Sequence, residues 1–250
     1  MKRKIILFNI ILFCQSFFLI AQEGVQSFFS EGNQFYNEGN YQKAIDSYGK
    51  IIDQNIYSVE LYFNLGNAHY KLNNIAESIY YFEKAKQLAP KNKEVLNNLA
   101  FAKNMQLDYI EPLPQTQINI YKNILLTSFT PNEWAYLTII LGWVTWMCFF
   151  VFYIKKETLI KRSFFVGGTI FLIFFFISIN LQIINPKSHF AILMESEISI
   201  RDEPNLHSTI KVDLNEGIKV KILDSLQGWY KISLTNGTQG WVEKTNIKKL

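Results

Sequence analysis

The stretch Trp134–Ile154, WAYLTIILGWVTWMCFFVFYI, holds no formal charge, and neither does Phe164–Ile184, FFVGGTIFLIFFFISINLQII. Each is 21 residues long. At 1.5 Å of rise per residue, such a helix covers about 31 Å, which matches a hydrocarbon core of about 30 Å. Both are therefore expected to be transmembrane helices. Between them Lys155-Lys156-Glu157-Thr158-Leu159-Ile160-Lys161-Arg162 carries four cations against one carboxylate. Short loops rich in Lys and Arg stay in the cytoplasm. Residues 155–163 then form a cytoplasmic loop, and everything outside the hairpin lies on the periplasmic or extracellular face of the cytoplasmic (inner) membrane. Just upstream, Thr130-Pro131-Asn132-Glu133 reads as a capping box with proline at the first helical position, a helix start.

The first residues agree with that orientation. Lys2, Arg3 and Lys4 precede an apolar run from Ile5 to Ile20, which predicts a secretory signal peptide over residues 1–21. The net charge of +4 is concentrated in this leader and in the 155–162 segment, so the exported parts are close to neutral. A nucleic-acid partner, which needs Lys and Arg clustered on one face, is not expected. Of the two cysteines, Cys14 falls in the leader and Cys148 in the first span. They offer neither an intrachain disulfide nor an exported nucleophile. His69, His189 and His207 lack metal-ligand spacing. The chain is therefore read as a non-enzyme with no cofactor and no metal.

Residues 24–108 repeat themselves at an interval of 34. Gly32 aligns with Gly66, Phe35 with His69, Tyr48 with Phe82 and Ile51 with Ala85. That interval is the period of tetratricopeptide repeats, pairs of helices stacked into an array. Tyr62, Leu65-Gly66, His69, Phe82, Ala85 and Pro90 fit the pattern in the second copy, and Gly32, Phe35, Ala44 and Tyr48 in the first. Glu31 and Ser78 depart from it. A partial third copy begins near Lys93, with Leu99-Ala100 in place of Leu-Gly, and its helix is expected to close the stack. Two and a half units are near the minimum for a continuous core. Such an array is expected to need support from the membrane-proximal segment or from a partner.

The first helix of each unit lines a concave groove, which predicts a peptide-binding surface of Phe29, Asn33, Tyr36, Phe63, Asn64, Asn67, Tyr70, Asn97 and Phe101. Asparagine amides both donate to and accept from a peptide backbone, and aromatic rings add apolar area at low entropic cost. A clamp for a C-terminal carboxylate would need cations where Phe29, Glu94 and Asn98 stand.

Residues 109–133 form a linker and membrane-proximal segment. Glu111-Pro112-Leu113-Pro114 interrupts helical structure, and Ile120, Ile124 and Leu125 then fall near helical spacing. After the second span, residues 189–250 alternate apolar and polar, as in Glu197-Ile198-Ser199-Ile200-Arg201 and Trp229-Tyr230-Lys231-Ile232-Ser233-Leu234, the period of strands. Asn236-Gly237 predicts a two-residue hairpin with positive φ at both positions. Ile198-Ser199-Ile200-Arg201, Pro204, Gly217, Gly228-Trp229-Tyr230-Lys231-Ile232, Gly237 and Gly240-Trp241-Val242 together resemble a bacterial SH3 domain. The resemblance implies a small barrel that binds wall peptides or protein surfaces, with Arg201, Trp229 and Trp241 as the candidate ligand surface.

The fold class expected is thus a multidomain membrane protein: an all-α tetratricopeptide repeat array, a two-helix transmembrane hairpin and an all-β SH3-like barrel. This order of parts resembles the BatE-like membrane proteins of bacterial aerotolerance operons. The resemblance implies an envelope component that works beside other Bat proteins, some of which carry von Willebrand type A domains. The function expected is a membrane-anchored scaffold for protein–protein interaction, with a peptidoglycan-binding anchor as the alternative.

Overall fold

The computed structural model describes residues 24–183 and 189–250. The expected signal peptide and the Asn185-Pro186-Lys187 tether lie outside the described residues. The described residues form two compact units, 24–112 with 189–250, and 113–183.

In the first unit, helices α1 (24–37), α2 (Tyr41–Ile52), α3 (Val59–Lys71), α4 (Ile75–Leu88) and α5 (Lys93–Lys103) follow one another. Their starts are set locally. Ser58 Oγ accepts the Leu61 N–H at 3.0 Å, and Asn92 Oδ1 accepts those of Glu94 and Val95, which satisfies donors that a helix leaves unpaired at its first turn. The small residues of the repeat do what their spacing implies. Tyr48 lies against Gly32, and a Cβ on Gly66 would stand 2.7 Å from the Phe82 ring. Ser78 is fully buried because its hydroxyl donates to the Gly66 carbonyl at 2.9 Å. Ala100 is exposed while Leu99 and Ala102 face inward.

Within this unit the array is supported by the C-terminal residues. Ile75, Ala76, Ile79, Phe82, Leu99 and Ala102 share one buried cluster with Ile192 and Leu250. Ile110, from the linker, packs against the core of the sheet.

That sheet contains β1 (Phe190–Leu193), β2 (Ile198–Arg201), β3 (Ile210–Leu214), β4 (Lys219–Leu226), β5 (Trp229–Ser233), β6 (Gln239–Glu243) and β7 (Ile247–Lys249). It is antiparallel, in the order β3-β2-β6-β5-β4-β1-β7. Leu193, Ile198, Ile200, Val220, Ile232 and Val242 belong to its single apolar core. The arrangement is consistent with an SH3 domain, but the ladder does not close into the expected barrel. β3 and β7 remain its two edges. From β7, Lys248 lies over the Tyr80 and Tyr81 rings of α4, so the helical array packs beside this strand. The Asn236-Gly237 turn also differs from expectation. Gly237 alone of the two has positive φ, +84°. The Gly237 N–H donates to the Leu234 carbonyl, and the Thr238 N–H donates to Asn236 Oδ1. This is a longer loop ending in a left-handed glycine, which takes up strand twist with one unusual residue instead of two.

The second unit contains α6 (Gln117–Thr127), α7 (Pro131–Lys155) and α8 (Thr158–Ile183). The capping box at Thr130 and Glu133 is formed. Asn132–Lys155 and Thr158–Leu181 are long and apolar enough to cross a membrane, and few of their residues are buried. Helical structure continues into residues 155–163, leaving only Lys156 and Glu157 outside it. Along the spans Thr138, Thr145, Thr169 and Asn180 each donate to the carbonyl four residues earlier. Polar side chains thus find partners within their own helix, as hydrocarbon surroundings require. Gly142 admits Phe171, and Gly167 admits Thr145, where the two helices meet.

Candidate peptide-binding groove

Two asparagine pairs link α1 to α3 and α3 to α5. Asn33 Oδ1 accepts from the Tyr48 hydroxyl at 2.7 Å and from Asn64 Nδ2 at 3.0 Å. One unit further on, Asn98 Nδ2 donates to Asn67 Oδ1 at 2.8 Å. Both pairs are 31 residues apart, so the repeat places an equivalent amide bridge between successive units. Burial pushes the Tyr48 hydroxyl up to about 12, so it stays protonated and keeps donating.

A cleft of about 270 Å³ opens beside the second pair, lined by Tyr36, Asn67, Tyr70, Lys71, Asn98 and Phe101. Four residues expected in the groove meet here: Tyr36, Asn67, Tyr70 and Phe101. Asn33 and Asn64 belong to the first bridge. Phe63 turns inward instead, its ring 5.9 Å from that of Phe82. Phe29 packs 5.8 Å from Tyr48 and borders a different cleft with Gln26, Ile56 and Leu61. Asn97 is exposed and lies outside the cleft lining. Neighbouring helical positions point about 100° apart, so Phe63 points away from the wall that Asn64 and Asn67 form. Lys71 and Asn98 escaped the sequence reading of the groove. The 31-residue spacing of Asn67 and Asn98, identical to that of Asn33 and Asn64, is the signal that finds Asn98.

On the sheet, Arg201 Nη1 donates to the Ser208 carbonyl at 2.8 Å, and Arg201 faces Trp241 across β2 and β6. Arg201 and Trp229 border a polar cleft of about 190 Å³ with Glu195, Glu197, Glu243 and Asn246. Trp241 does not line it. The loop after Arg201 is tied down by Asp202, which accepts from Lys211 and Thr209; these bonds hold its carboxyl below the usual range.

The most heavily buried charge lies where array and sheet meet. Glu83 of α4, 2% exposed, bonds Lys103 of α5 at 2.8 Å and Lys219 of β4 at 2.7 Å. Burial alone would raise its carboxyl, but the two ammonium groups outweigh burial and hold it below the ordinary value. Asp108 accepts from the backbone and side chain of Asn215 at 2.6 and 3.1 Å. His69, stacked 5.3 Å from Tyr81, is held at about 4 by burial and by the Lys248 ammonium.

Comparison with known proteins identifies the modules. Residues 59–92 match the tetratricopeptide repeat family model, and residues 195–249 match the bacterial SH3 domain model. The chain thus combines a tetratricopeptide repeat and a bacterial SH3 domain with two apolar helices between them. No curated protein matches it. Among solved structures, the first tetratricopeptide repeat domain of Spaghetti (RPAP3) bound to the HSP90 peptide SRMEEVD is 21% identical, covering 33% of this chain and 92% of that one, with a TM-score of 0.20.

Proposed function

We propose that this protein is a non-catalytic, membrane-anchored scaffold of the bacterial cell envelope, whose helical array holds an extended segment of a protein partner. The observation that carries this reading is the cleft at Tyr36, Asn67, Tyr70, Lys71, Asn98 and Phe101. There the Asn98–Asn67 bond uses one half of each amide, leaving Asn67 Nδ2 to donate and Asn98 Oδ1 to accept along a peptide backbone. Lys71 favours an acidic side chain at one end. The two spans anchor the chain in the inner membrane with both large modules on the outer face. The Bat-type complex, with its von Willebrand type A domain proteins, is the partner set that the resemblance implies. The test is crosslinking in intact cells with the full-length chain. Asn67→Ala combined with Tyr70→Ala is expected to lose the co-purifying membrane proteins that wild type retains, while Asn97→Ala keeps them. Equal retention by all three would sink the groove.

A second reading rests on the polar cleft at Arg201 and Trp229, where Glu195, Glu197 and Glu243 suit the amino groups of a wall peptide. In it the SH3 domain binds peptidoglycan. Full-length protein should then sediment with purified wall, and Trp229→Ala should weaken sedimentation. Wild-type protein that stays in the supernatant ends this reading.

A further inference from the structure

Among the described residues of its unit, α6 leaves an apolar face exposed, and it leads directly into the first span. Ile118, Tyr121 and Leu125, at intervals of three and four, are 79%, 70% and 56% exposed. Gln117–Thr127 contains no acidic residue and one cation, Lys122. In water, so much uncovered apolar surface on eleven residues is unfavourable. Only Ser128, Phe129 and Thr130 separate α6 from α7, and three residues reach at most about 11 Å. The junction is also tied: Trp134 Nε1 donates to the Leu126 carbonyl at 3.3 Å, and the Phe129 and Trp134 rings meet edge to face at 5.5 Å. Wherever the start of α7 enters the bilayer, the end of α6 is held at headgroup depth.

We infer that α6 is a third membrane contact, lying in the lipid interface with Ile118, Tyr121 and Leu125 inserted and Asn119 on the water side. The inference rests on the reading of α7 and α8 as spanning helices. Its occupant is the lipid surface, because the face is continuous with the surface the spans already present to lipid. Tyrosine and aliphatic side chains suit that depth. With a single lysine, attachment comes from apolar burial and not from attraction to anionic lipid, so it is independent of salt.

The test uses the full-length chain with Cys14→Ser and Cys148→Ala, reconstituted in phosphatidylcholine vesicles. Single cysteines replacing Ile118, Asn119, Tyr121, Leu125 or Trp143 carry a fluorophore, and doxyl lipids bear the quencher near the headgroup or near the chain end. Labels at 118, 121 and 125 are expected to be quenched most by the headgroup-proximal lipid, equally at low and high salt. The label at 119 should be quenched least, and the label at 143 most by the chain-end lipid. Strong quenching at 143 with none at 118, 121 and 125 overturns the interfacial placement and leaves the spans intact. Excimers between labels at 118 on two chains would make the face a contact between copies and also overturn it. Absence of chain-end quenching at 143 overturns both readings together.

Discussion

A methyl group added at Gly66 would meet the Phe82 ring at 2.7 Å, whereas one added at Gly49 meets nothing within 4 Å. The two substitutions should therefore act in opposite directions. Gly66→Ala forces a fully buried ring to move and is expected to lower stability by about 1–3 kcal/mol. Gly49→Ala, inside α2, relieves a helix of glycine's entropic cost and is expected to raise stability by about 0.5–1 kcal/mol. Denaturant titration of both variants checks this, and effects of the same sign would contradict the packing described. Gly66 was legible because its partner repeats with it at a fixed interval. Glu83 was not. Its Lys219 partner is 136 residues away, and local periodicity carries no information across that distance. Phe63 misled for a different reason: it adjoins Asn64 in sequence but sits one helical step round, toward Phe82.

At the scale of elements, α4 is the hub. It packs against α3, α5 and β1, and carries Glu83, Tyr80 and Tyr81 to the sheet. Acid should loosen this contact in stages. His69 and Glu83 both have folded-state values below their ordinary ones, 6.5 and 4.5. Each therefore contributes stability that is present above its ordinary value and lost as pH falls toward the folded one. His69, held at about 4, accounts for roughly 3 kcal/mol lost between pH 6.5 and 4. Glu83 adds a further loss below 4.5. Two further charged groups face this contact: Glu77 beside Tyr81, its carboxyl raised mainly by burial, and Lys248 beside His69, its ammonium lowered mainly by burial. Melts of wild type and His69→Phe across pH 7.5 to 4 should converge in slope only above 6.5; parallel curves throughout would refute the assignment. Lys219→Met leaves Glu83 with Lys103 alone. Because the Lys219 ammonium is partly exposed, the expected cost is about 1–3 kcal/mol. The strands were readable from their alternation, yet the open edge at β7 was not, since nothing in a three-residue run tells whether a strand or a helix will cover it.

For the whole molecule, the buried cluster joining Ile79 and Phe82 to Ile192 and Leu250 constrains topology independently of the positive residues near 155–162. Groups that share a dry core occupy one compartment, so any bilayer crossings by the chain between them are even in number. Single cysteines replacing Asn97 in the array and Thr245 after β6 should react with an impermeant reagent from the same side, and one replacing Glu157 only from the opposite side. Reaction of the first two from different sides would be incompatible with the cluster. The order of modules was visible in the sequence because each has its own periodicity; their docking was not, because amphipathic patterns say that a face will be covered without saying by what.

That cluster also sets a timetable for assembly. Ile75, Ile79 and Phe82 leave the ribosome well before Ile192 and Leu250. At about 5–20 residues per second, the greasy flank of α4 waits on the order of ten seconds or more, through synthesis of α7, α8 and the strands. For that interval the newborn array is a client for chaperones, and a stall anywhere between α5 and β1 leaves that flank bare.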